Sequence, residues 1–220
     1  MCINYSIINK LLFCFSLASP FIHALENKKD IKVSIRLAKI EEVKILNKMI
    51  ALSARELSRD DYSKIEIDAA IQYLFDVDTD LVHDKTYYVI EKNGELAGCG
   101  GWSRRKRMFG GDKFSGKKKS GDITFLDPLY DPAKIRAFAI HPKFARQGLA
   151  SLLLTYCEQE ALSNGFTRTE LVATLPGAKL YAKVGYHAVS EEMIKMPNQV
   201  PLKFIHMSKS LLQETKPAKL

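Results

Sequence analysis

Cysteine is scarce in this chain, and its few copies stand apart from one another. Four cysteines, Cys2, Cys14, Cys99 and Cys157, are spread over 220 residues. None forms a Cys-x-x-Cys pair, and no cluster of cysteine and histidine has the spacing of zinc ligands. We therefore expect neither a disulfide scaffold nor a structural metal. Cys99 and Cys157 are expected to be small, reduced residues of the core.

A hydrophobic run long enough to cross a bilayer is also missing. The apolar run at residues 11–22 holds twelve residues, which is too short for a membrane span. The chain as a whole is 46% hydrophobic and 26% charged, close to the average of soluble proteins. This balance excludes a disordered chain, a collagen and a polytopic membrane protein, and the length favours a single domain.

Two common nucleotide-binding motifs are incomplete or absent. Residues 111–118 almost match a P-loop, but Lys118 stands where a magnesium-binding Ser or Thr is required, and no helical pattern follows. No Gly-x-Gly-x-x-Gly occurs in the chain. We therefore expect neither a nucleoside triphosphate site nor a dinucleotide-binding fold.

Positive charge, by contrast, is concentrated in one basic segment, residues 103–122. The chain has a formal net charge of +8. The basic segment contains eight Lys/Arg against two Asp, so it carries six of these eight charges. We predict that it is a mobile, solvated loop. The alternative interpretation is an electrostatic guide for an acidic substrate or for nucleic acid.

From residue 33 onward the apolar pattern switches between strand and helix periods. It predicts the order β-α-α-β-β-β-α-β-α-β-β, a single α/β domain with a mixed sheet and helices on its faces. Asn93-Gly94 predicts a hairpin, because both residues tolerate positive φ. Residues 135–173 predict a right-handed βαβ crossover with parallel strands. The predicted strands are 33–37, 86–90, 95–102, 135–140, 169–173, 186–189 and 203–207, and the predicted helices are 41–54, 65–75, 149–161 and 178–183.

The turn inside this crossover has the composition of an anion site. Residues 138–151 lead from a buried strand through a turn into a helix that starts at Gly148. Glycine lets the backbone approach an anion, and the first N–H groups of a helix lack intrahelical partners at the positive end of its dipole. With Arg146 as a fixed cation, the turn predicts a phosphate or pyrophosphate site. The predicted buried face of the helix is Leu149, Leu152, Leu153, Tyr156 and Cys157.

A second motif lies beyond the next strand, and together the two motifs resemble the GNAT superfamily of acetyl-CoA-dependent N-acetyltransferases. The first motif of that family is Gln/Arg-x-x-Gly-x-Gly/Ala, and residues 145–150 here read Ala-Arg-Gln-Gly-Leu-Ala. The second is a tyrosine four residues before a Gly–aromatic pair, here Tyr181 before Gly185-Tyr186. The resemblance covers residues 31–208. It departs at Ala145, so the grip on the pyrophosphate is expected to fall on backbone N–H groups and Arg146.

The resemblance implies that the chain transfers an acetyl group from acetyl-CoA, as co-substrate, directly to a primary amine, with no metal. Phe138, Ala139 and Ile140 would pair with the pantetheine arm at a bulged strand, and one N–H there would polarise the thioester carbonyl. Tyr181 would protonate the leaving thiolate. The pyrophosphate would be held by Arg146, Gln147, Gly148, Leu149, Ala150 and Ser151. The alternative is a non-catalytic sensor module that binds acyl-CoA in the same pocket.

The sequence identifies neither the acceptor nor a general base. The acceptor is expected to be an amine of a small molecule or a peptide, selected by residues 52–75 and 103–127. Nucleic acid and stable membrane insertion are not expected. Three carboxylates, Glu91, Glu95 and Glu170, are interpreted as solvated strand residues, and His141 as a turn residue.

The N-terminal extension is expected to lie outside the catalytic fold. We assign residues 1–30 to this extension, 31–210 to the N-acetyltransferase domain and 211–220 to a C-terminal tail. The run at 11–22 resembles the apolar core of a secretory signal, with cleavage after Ala24. A docked apolar helix and a disordered leader are the other interpretations. Because Lys10 is the one cation before the run, and because acetyl-CoA is supplied inside cells, we predict a cytoplasmic enzyme.

Overall fold

The computed structural model describes residues 32–115 and 124–212 of the chain. The predictions made for residues 1–30, for the C-terminal tail beyond 212 and for the three lysines at 117–119 lie outside these described residues.

Strands of the described chain form one mixed sheet. They are β1 (Val33–Leu37), β2 (Tyr87–Lys92), β3 (Glu95–Ser103), β4 (Ala133–Ile140), β5 (Arg168–Ala173), β6 (His187–Lys195) and β7 (Pro201–Ser210). Their order across the sheet is β1-β2-β3-β4-β5-β7-β6. β4 and β5 run parallel, as the crossover predicted, and the other neighbours are antiparallel. The hairpin after β2 turns at Asn93 and Gly94, whose φ angles of 54° and 79° confirm that prediction.

Helices cover both faces of this sheet. They are α1 (Val43–Leu57), α2 (Lys64–Tyr73), α3 (Thr79–His83), α4 (Asp112–Ser115), α5 (Leu149–Ser163) and α6 (Leu175–Lys183), with 3-10 turns at Ile40–Glu42 and Pro142–Phe144. α2 starts at a capping box, in which Ser63 accepts from the Glu66 N–H and the Glu66 carboxylate accepts from the Ser63 N–H. α5 is the crossover between the parallel strands. The fold class is therefore confirmed, and all the predicted strands and helices occur in the predicted order.

Three features differ from the sequence prediction. α3 and α4 were not predicted, because helices of five and four residues are too short for a helical period to show. β6 and β7 extend well beyond the predicted cores, since most of β6 is exposed and gives no alternating signal. In α5 the prediction for Leu152 was wrong: its exposed fraction is 48%, and Leu154 is buried in its place.

The sheet separates two sides of the molecule. On one, here called the α5 face, α5 and α6 pack on alternate strand residues such as Ala133, Ile135 and Leu171. On the other, the α1 face, α1 and α3 pack on β2 and β3, and α2 packs on β7. Because side chains alternate along a strand, Lys134 and Arg136 point to the α1 face. Both are buried there.

Candidate functional site

The two parallel strands part from each other soon after they begin. β4 and β5 share two paired positions, Ala133 with Thr169 and Lys134 with Glu170. β4 then continues to Ile140 without a further pairing to β5 in the described residues. A cleft therefore opens between the strands beyond Lys134, and the backbone of β4 forms one of its walls.

A bulge in β4 accompanies this separation. The pairing of β3 with β4 shifts between Cys99 and Gly101. Ala137 lies at the shift and has a φ of 53°, in the left-handed region that residues with a Cβ seldom adopt. A bulge bends its strand and redirects the groups that follow it. Here those groups belong to Phe138, Ala139 and Ile140, the three residues predicted to contact the pantetheine arm.

Glycines in β3 make room for the bulged strand. A Cβ on Gly100 would lie 2.6 Å from the Phe138 ring, and one on Gly98 would lie 2.5 Å from Ile140 Cδ1. Both distances are too short for real atoms, so these side chains occupy space that β3 leaves free. The positions of Phe138 and Ile140 at the cleft thus depend on missing side chains in the next strand.

The predicted anion site lies at the open end of the cleft. The 3-10 turn follows β4, and Arg146 and Gly148 both have left-handed backbones, with φ of 59° and 79°. Within the described part of the chain no side chain caps α5, which leaves its first N–H groups, those of Leu149, Ala150 and Ser151, without a side-chain partner. A Cβ on Gly148 would meet nothing within 4 Å, so the surface over the helix end is open.

The side chains of this turn take different roles. Arg146 is exposed, whereas Leu149 is buried in the core, so only the backbone of Leu149 can face a ligand. Gln147 donates to the Lys143 carbonyl (Nε2 to O, 3.1 Å) and accepts from Lys92 Nζ (2.5 Å to Oε1). These two hydrogen bonds of the Gln147 amide connect the turn to the β2–β3 hairpin. Arg146 and the N–H groups remain as the groups free to meet an anion.

Tyr181 lies on the α5 face, in the second turn of α6. Its side chain is buried, and its ring contacts Tyr186 edge to face at 5.6 Å between centroids. Burial, with a smaller effect from the nearby Cys157 thiol, raises the pKa of Tyr181 well above its ordinary value. The phenol is therefore protonated at every physiological pH. Tyr62 fixes the start of this helix, because its hydroxyl accepts from the Leu175 N–H at 3.0 Å.

A charged cluster on the α1 face was missed by the sequence reasoning. Glu170 bridges Lys134 and His206: one oxygen pairs with the lysine, and the other lies 2.9 Å from His206 Nε2. The solvated-strand interpretation of Glu170 was wrong, since its side chain is only 15% exposed. Burial lowers the pKa of His206, although Glu192 acts in the opposite direction. The lowered pKa favours the neutral imidazole. The sequence predicted that the two strands run parallel, but not the register that places Lys134 beside Glu170.

The first half of the basic segment is folded, which corrects the prediction of a mobile, solvated loop there. Arg105 donates to both oxygens of Asp84, at 2.7 and 2.8 Å. Arg107 pairs with Asp78 and Asp80 at 3.4 and 3.3 Å. These carboxylates belong to the stretch around α3, so Arg105 and Arg107 are neutralised within the fold, whereas Arg104 and Lys106 are exposed. A nucleic-acid guide would instead need the two paired arginines facing solvent.

One of these carboxylates also binds the sheet. Asp78 lies 2.9 Å from Arg136 Nη2, and both side chains are almost fully buried. Arg136 further donates to the carbonyls of Arg107 and Gly110 in the basic segment. The segment is thereby attached to β4 at the residue that precedes the bulge.

An open cavity lies between the end of α1 and the start of α2, inside the range predicted to select the acceptor. Its volume is about 520 Å³. Tyr62, at its base, donates to the Lys203 carbonyl on β7 at 2.5 Å. Cations exceed anions in the lining, which consists of Arg55, Arg59, Tyr62, Lys64, Ile67 and Asp68.

These features define a class of α/β protein: a mixed sheet with a cleft between two parallel strands and, at its open end, a turn that leaves the first N–H groups of a helix uncapped. Residues 51–186 match the sequence model of the Acetyltransferase (GNAT) family. The match spans more than half of the chain, so the chain belongs to the GNAT acetyltransferase family. No curated protein matches at a significant level.

Solved structures share the fold at low sequence identity. The GCN5-related N-acetyltransferase from Rhodopseudomonas palustris superposes with a TM-score of 0.59 at 18% identity, covering 81% of this chain and 95% of that one. PaiA N-acetyltransferase from Thermoplasma acidophilum, solved in complex with coenzyme A, gives 0.53 at 12% identity, covering 81% and 99%. YncA from Salmonella typhimurium, solved with acetyl-CoA, gives 0.52 at 15% identity, covering 86% and 99%.

Two kinds of feature are absent from residues 32–115 and 124–212. None of their helices combines the length and apolar character that a membrane crossing requires. Within the same residues, no three His, Cys, Asp or Glu side chains come together as a metal site.

Proposed function

We propose that this protein is an N-acetyltransferase that moves an acetyl group from acetyl-CoA to a primary amine of a small molecule or a peptide. The observation that carries the proposal is the cleft between β4 and β5, open at the end where the left-handed turn at Gly148 presents free helix N–H groups. Relatives of the same fold were solved with coenzyme A or acetyl-CoA. A cytoplasmic location, where acetyl-CoA is supplied, is part of the proposal.

The donor is held by backbone and by one cation. The N–H groups of Leu149, Ala150 and Ser151 and the guanidinium of Arg146 bind the pyrophosphate at the positive end of α5. Ala145 contributes no side-chain donor, so backbone N–H groups make most of the hydrogen bonds to the pyrophosphate. The pantetheine arm enters the cleft and pairs with the unpaired edge of β4 at Phe138, Ala139 and Ile140. The arm thus takes the place that a neighbouring strand would have.

The reaction joins the amine nitrogen to the thioester carbonyl carbon and breaks the carbon–sulfur bond. The electron pair of that bond leaves on the CoA sulfur, and Tyr181 donates its phenolic proton there. The raised pKa of Tyr181 keeps that proton in place until the thiolate forms. Bulk water then returns a proton to the phenolate.

The amine loses its proton on the opposite face of the sheet. His206 is available there as an acceptor, because it is favoured in its neutral form and its Nε2 is oriented by Glu170. The pair at Lys134 and Glu170 is the last paired position before the cleft. Acid and base therefore approach the thioester from the two faces, Tyr181 from the α5 face and His206 from the α1 face.

The test is release of free CoA thiol with a panel of amine acceptors, using the wild type, Tyr181→Phe and Tyr186→Phe. Tyr186 is a matched control, because its buried hydroxyl lies 2.8 Å from Thr169 Oγ1. We expect Tyr181→Phe to keep CoA affinity by calorimetry and to lose about 10²–10⁴-fold in turnover. Tyr186→Phe should lose far less. Tight CoA binding by the wild type without thiol release on any acceptor would favour the sensor alternative.

A further inference from the structure

A buried tyrosine two strands away holds the bulge of β4. The Tyr87 side chain is fully buried, and its hydroxyl donates to the Ala137 carbonyl at 2.9 Å. The same hydroxyl lies 3.1 Å from Cys99 Sγ. A phenol has one proton, and the carbonyl oxygen is the stronger acceptor of these two neighbours. Burial raises the pKa of Tyr87 well above its ordinary value, so this donor keeps its proton.

The intervening strand is built to let Tyr87 reach the bulge. Tyr87 is on β2, Ala137 is on β4, and β3 lies between them at Gly101. A Cβ on Gly101 would lie 2.9 Å from Tyr87 Cδ2 and closer still to the Thr86 carbonyl oxygen. The ring therefore crosses β3 over a position with no side chain. Gly101 and Tyr87 together bring a single donor to the one left-handed residue of β4.

The hydrogen bond to Ala137 also fixes the next N–H group. A peptide unit is planar and trans, so the Ala137 carbonyl and the Phe138 N–H point in opposite directions. With the carbonyl held by Tyr87 on the α1 face, the Phe138 N–H is turned away from that face, beside the open edge of β4. We propose that Tyr87 is a positioning residue that aims the Phe138 N–H at the thioester carbonyl oxygen. This inference rests on the proposed acetyl transfer.

The bulge needs such a clamp because its conformation is not the preferred one for alanine. At a φ of 53°, Ala137 lies in a region that its Cβ disfavours. Without the Tyr87 hydroxyl, rotation of the 137–138 peptide becomes easier, and a rotated peptide presents an oxygen instead of an N–H to the developing oxyanion. A donor fixed in advance stabilises that charge without reorganisation during the reaction.

The experiment compares full-length wild type, Tyr87→Phe and the control Tyr88→Phe. Tyr88 is the next residue on β2, is buried on the opposite face and contacts Glu160 at 3.4 Å rather than the bulge. Each protein is loaded with acetyl-CoA carrying ¹³C at the thioester carbonyl, and the bound carbonyl stretch is read by isotope-edited infrared spectroscopy. Turnover and CoA affinity are measured on the same samples.

In the wild type and in Tyr88→Phe we expect the carbonyl band to shift to lower frequency than in free acetyl-CoA. In Tyr87→Phe we expect the shift to be lost and kcat to fall about 10- to 100-fold, with CoA affinity within twofold of wild type. A shifted band in Tyr87→Phe with kcat equal to that of Tyr88→Phe would overturn the inference alone. A wild type with neither a shifted band nor thiol release would overturn the proposed function, and the inference with it.

A second variant keeps the test decisive if Tyr87→Phe does not fold. Glycine adopts positive φ without steric cost, so Tyr87→Phe combined with Ala137→Gly restores an accessible bulge without restoring the donor. Ala137→Gly alone keeps the Tyr87 hydrogen bond and should retain the shifted band. Loss of the band in the double variant supports the inference, and a band equal to that of Ala137→Gly contradicts it.

Discussion

Replacing Gly148 by glutamate should separate anion binding from folding. The backbone at Gly148 has a φ of 79°, and an added Cβ would meet no protein atom within 4 Å. The substitution therefore introduces no clash with the protein. Its effect on stability comes from the left-handed backbone alone, about 1–2 kcal/mol for a residue with a Cβ.

The effect on the donor is larger and has a different origin. The new carboxylate would stand at the end of α5, next to the N–H groups proposed to hold the pyrophosphate. Two unit charges about 4 Å apart repel by about 1 kcal/mol in water and about 4 kcal/mol near a protein surface. We take about 2 kcal/mol as the central expectation, which weakens CoA binding about 30-fold.

Gly165 provides the matched control, at the other end of the same helix. Its φ is 89°, and an added Cβ would make ordinary contact with Pro128 at 3.4 Å. At about 1.5 Å per residue, the two glycines are about 25 Å apart along α5. Gly165→Glu should therefore lose similar stability and keep its affinity for CoA. The measurements are calorimetric titration with CoA and urea unfolding, and equal CoA affinities for the two variants would refute the anion site.

Two further predictions concern titratable side chains. Asp76 is buried, its Oδ1 has no hydrogen-bond partner among the described residues, and burial raises its pKa from the reference of 3.8 to about 6. The folded state thus holds this proton more tightly than the unfolded state, so stability is lost as the pH rises from about 4 through 6. Asp76→Asn should be more stable than wild type by up to about 3 kcal/mol at pH 8 and by little at pH 4, measured by urea unfolding; an equal gap at both pH values would contradict this. His206→Gln should lower kcat/KM about 10²-fold or more at pH 7 and remove the acidic limb of the pH–rate profile, whereas the exposed His187→Gln on β6 should change neither. A wild-type profile retained in His206→Gln would show that the amine proton leaves by another route.

The sequence was sufficient to predict features that depend on residues close together in the chain. The start of α5 at Gly148, the hairpin at Asn93-Gly94 and the parallel crossover were each predicted from residues within one short stretch of the chain. The acidic stretch around α3 was not, because aspartates are typical of solvent-exposed loops, and only the fold shows that Asp78 and Asp84 pair with arginines of the basic segment. The contact of Tyr87 with Ala137 joins residues fifty positions apart. No period or motif marks such a contact.

The prediction of which residues of α5 are buried failed for the same reason, because burial depends on distant contacts. Leu152 and Leu154 are chemically identical, and three- or four-residue spacing from Leu149 favours the first of them. The structure buries Leu154 because the helix axis is set by its packing against β3 and β4. That axis depends on contacts with distant segments, which a single helical pattern does not contain.

The glycines of β3 are positions at which the fold does not tolerate a side chain. An alanine at Gly98 or Gly100 would overlap Ile140 or Phe138, and one at Gly101 would overlap the Thr86 backbone. The shape of the cleft proposed to hold the donor is therefore specified by a strand that contributes no side chain to it at these positions. If the cavity between α1 and α2 selects the acceptor, as predicted, a library intended to change the acceptor can be randomised there. Gly98, Gly100 and Gly101 must remain glycine in every member of that library, because a side chain at any of them would disturb the cleft proposed to hold the donor.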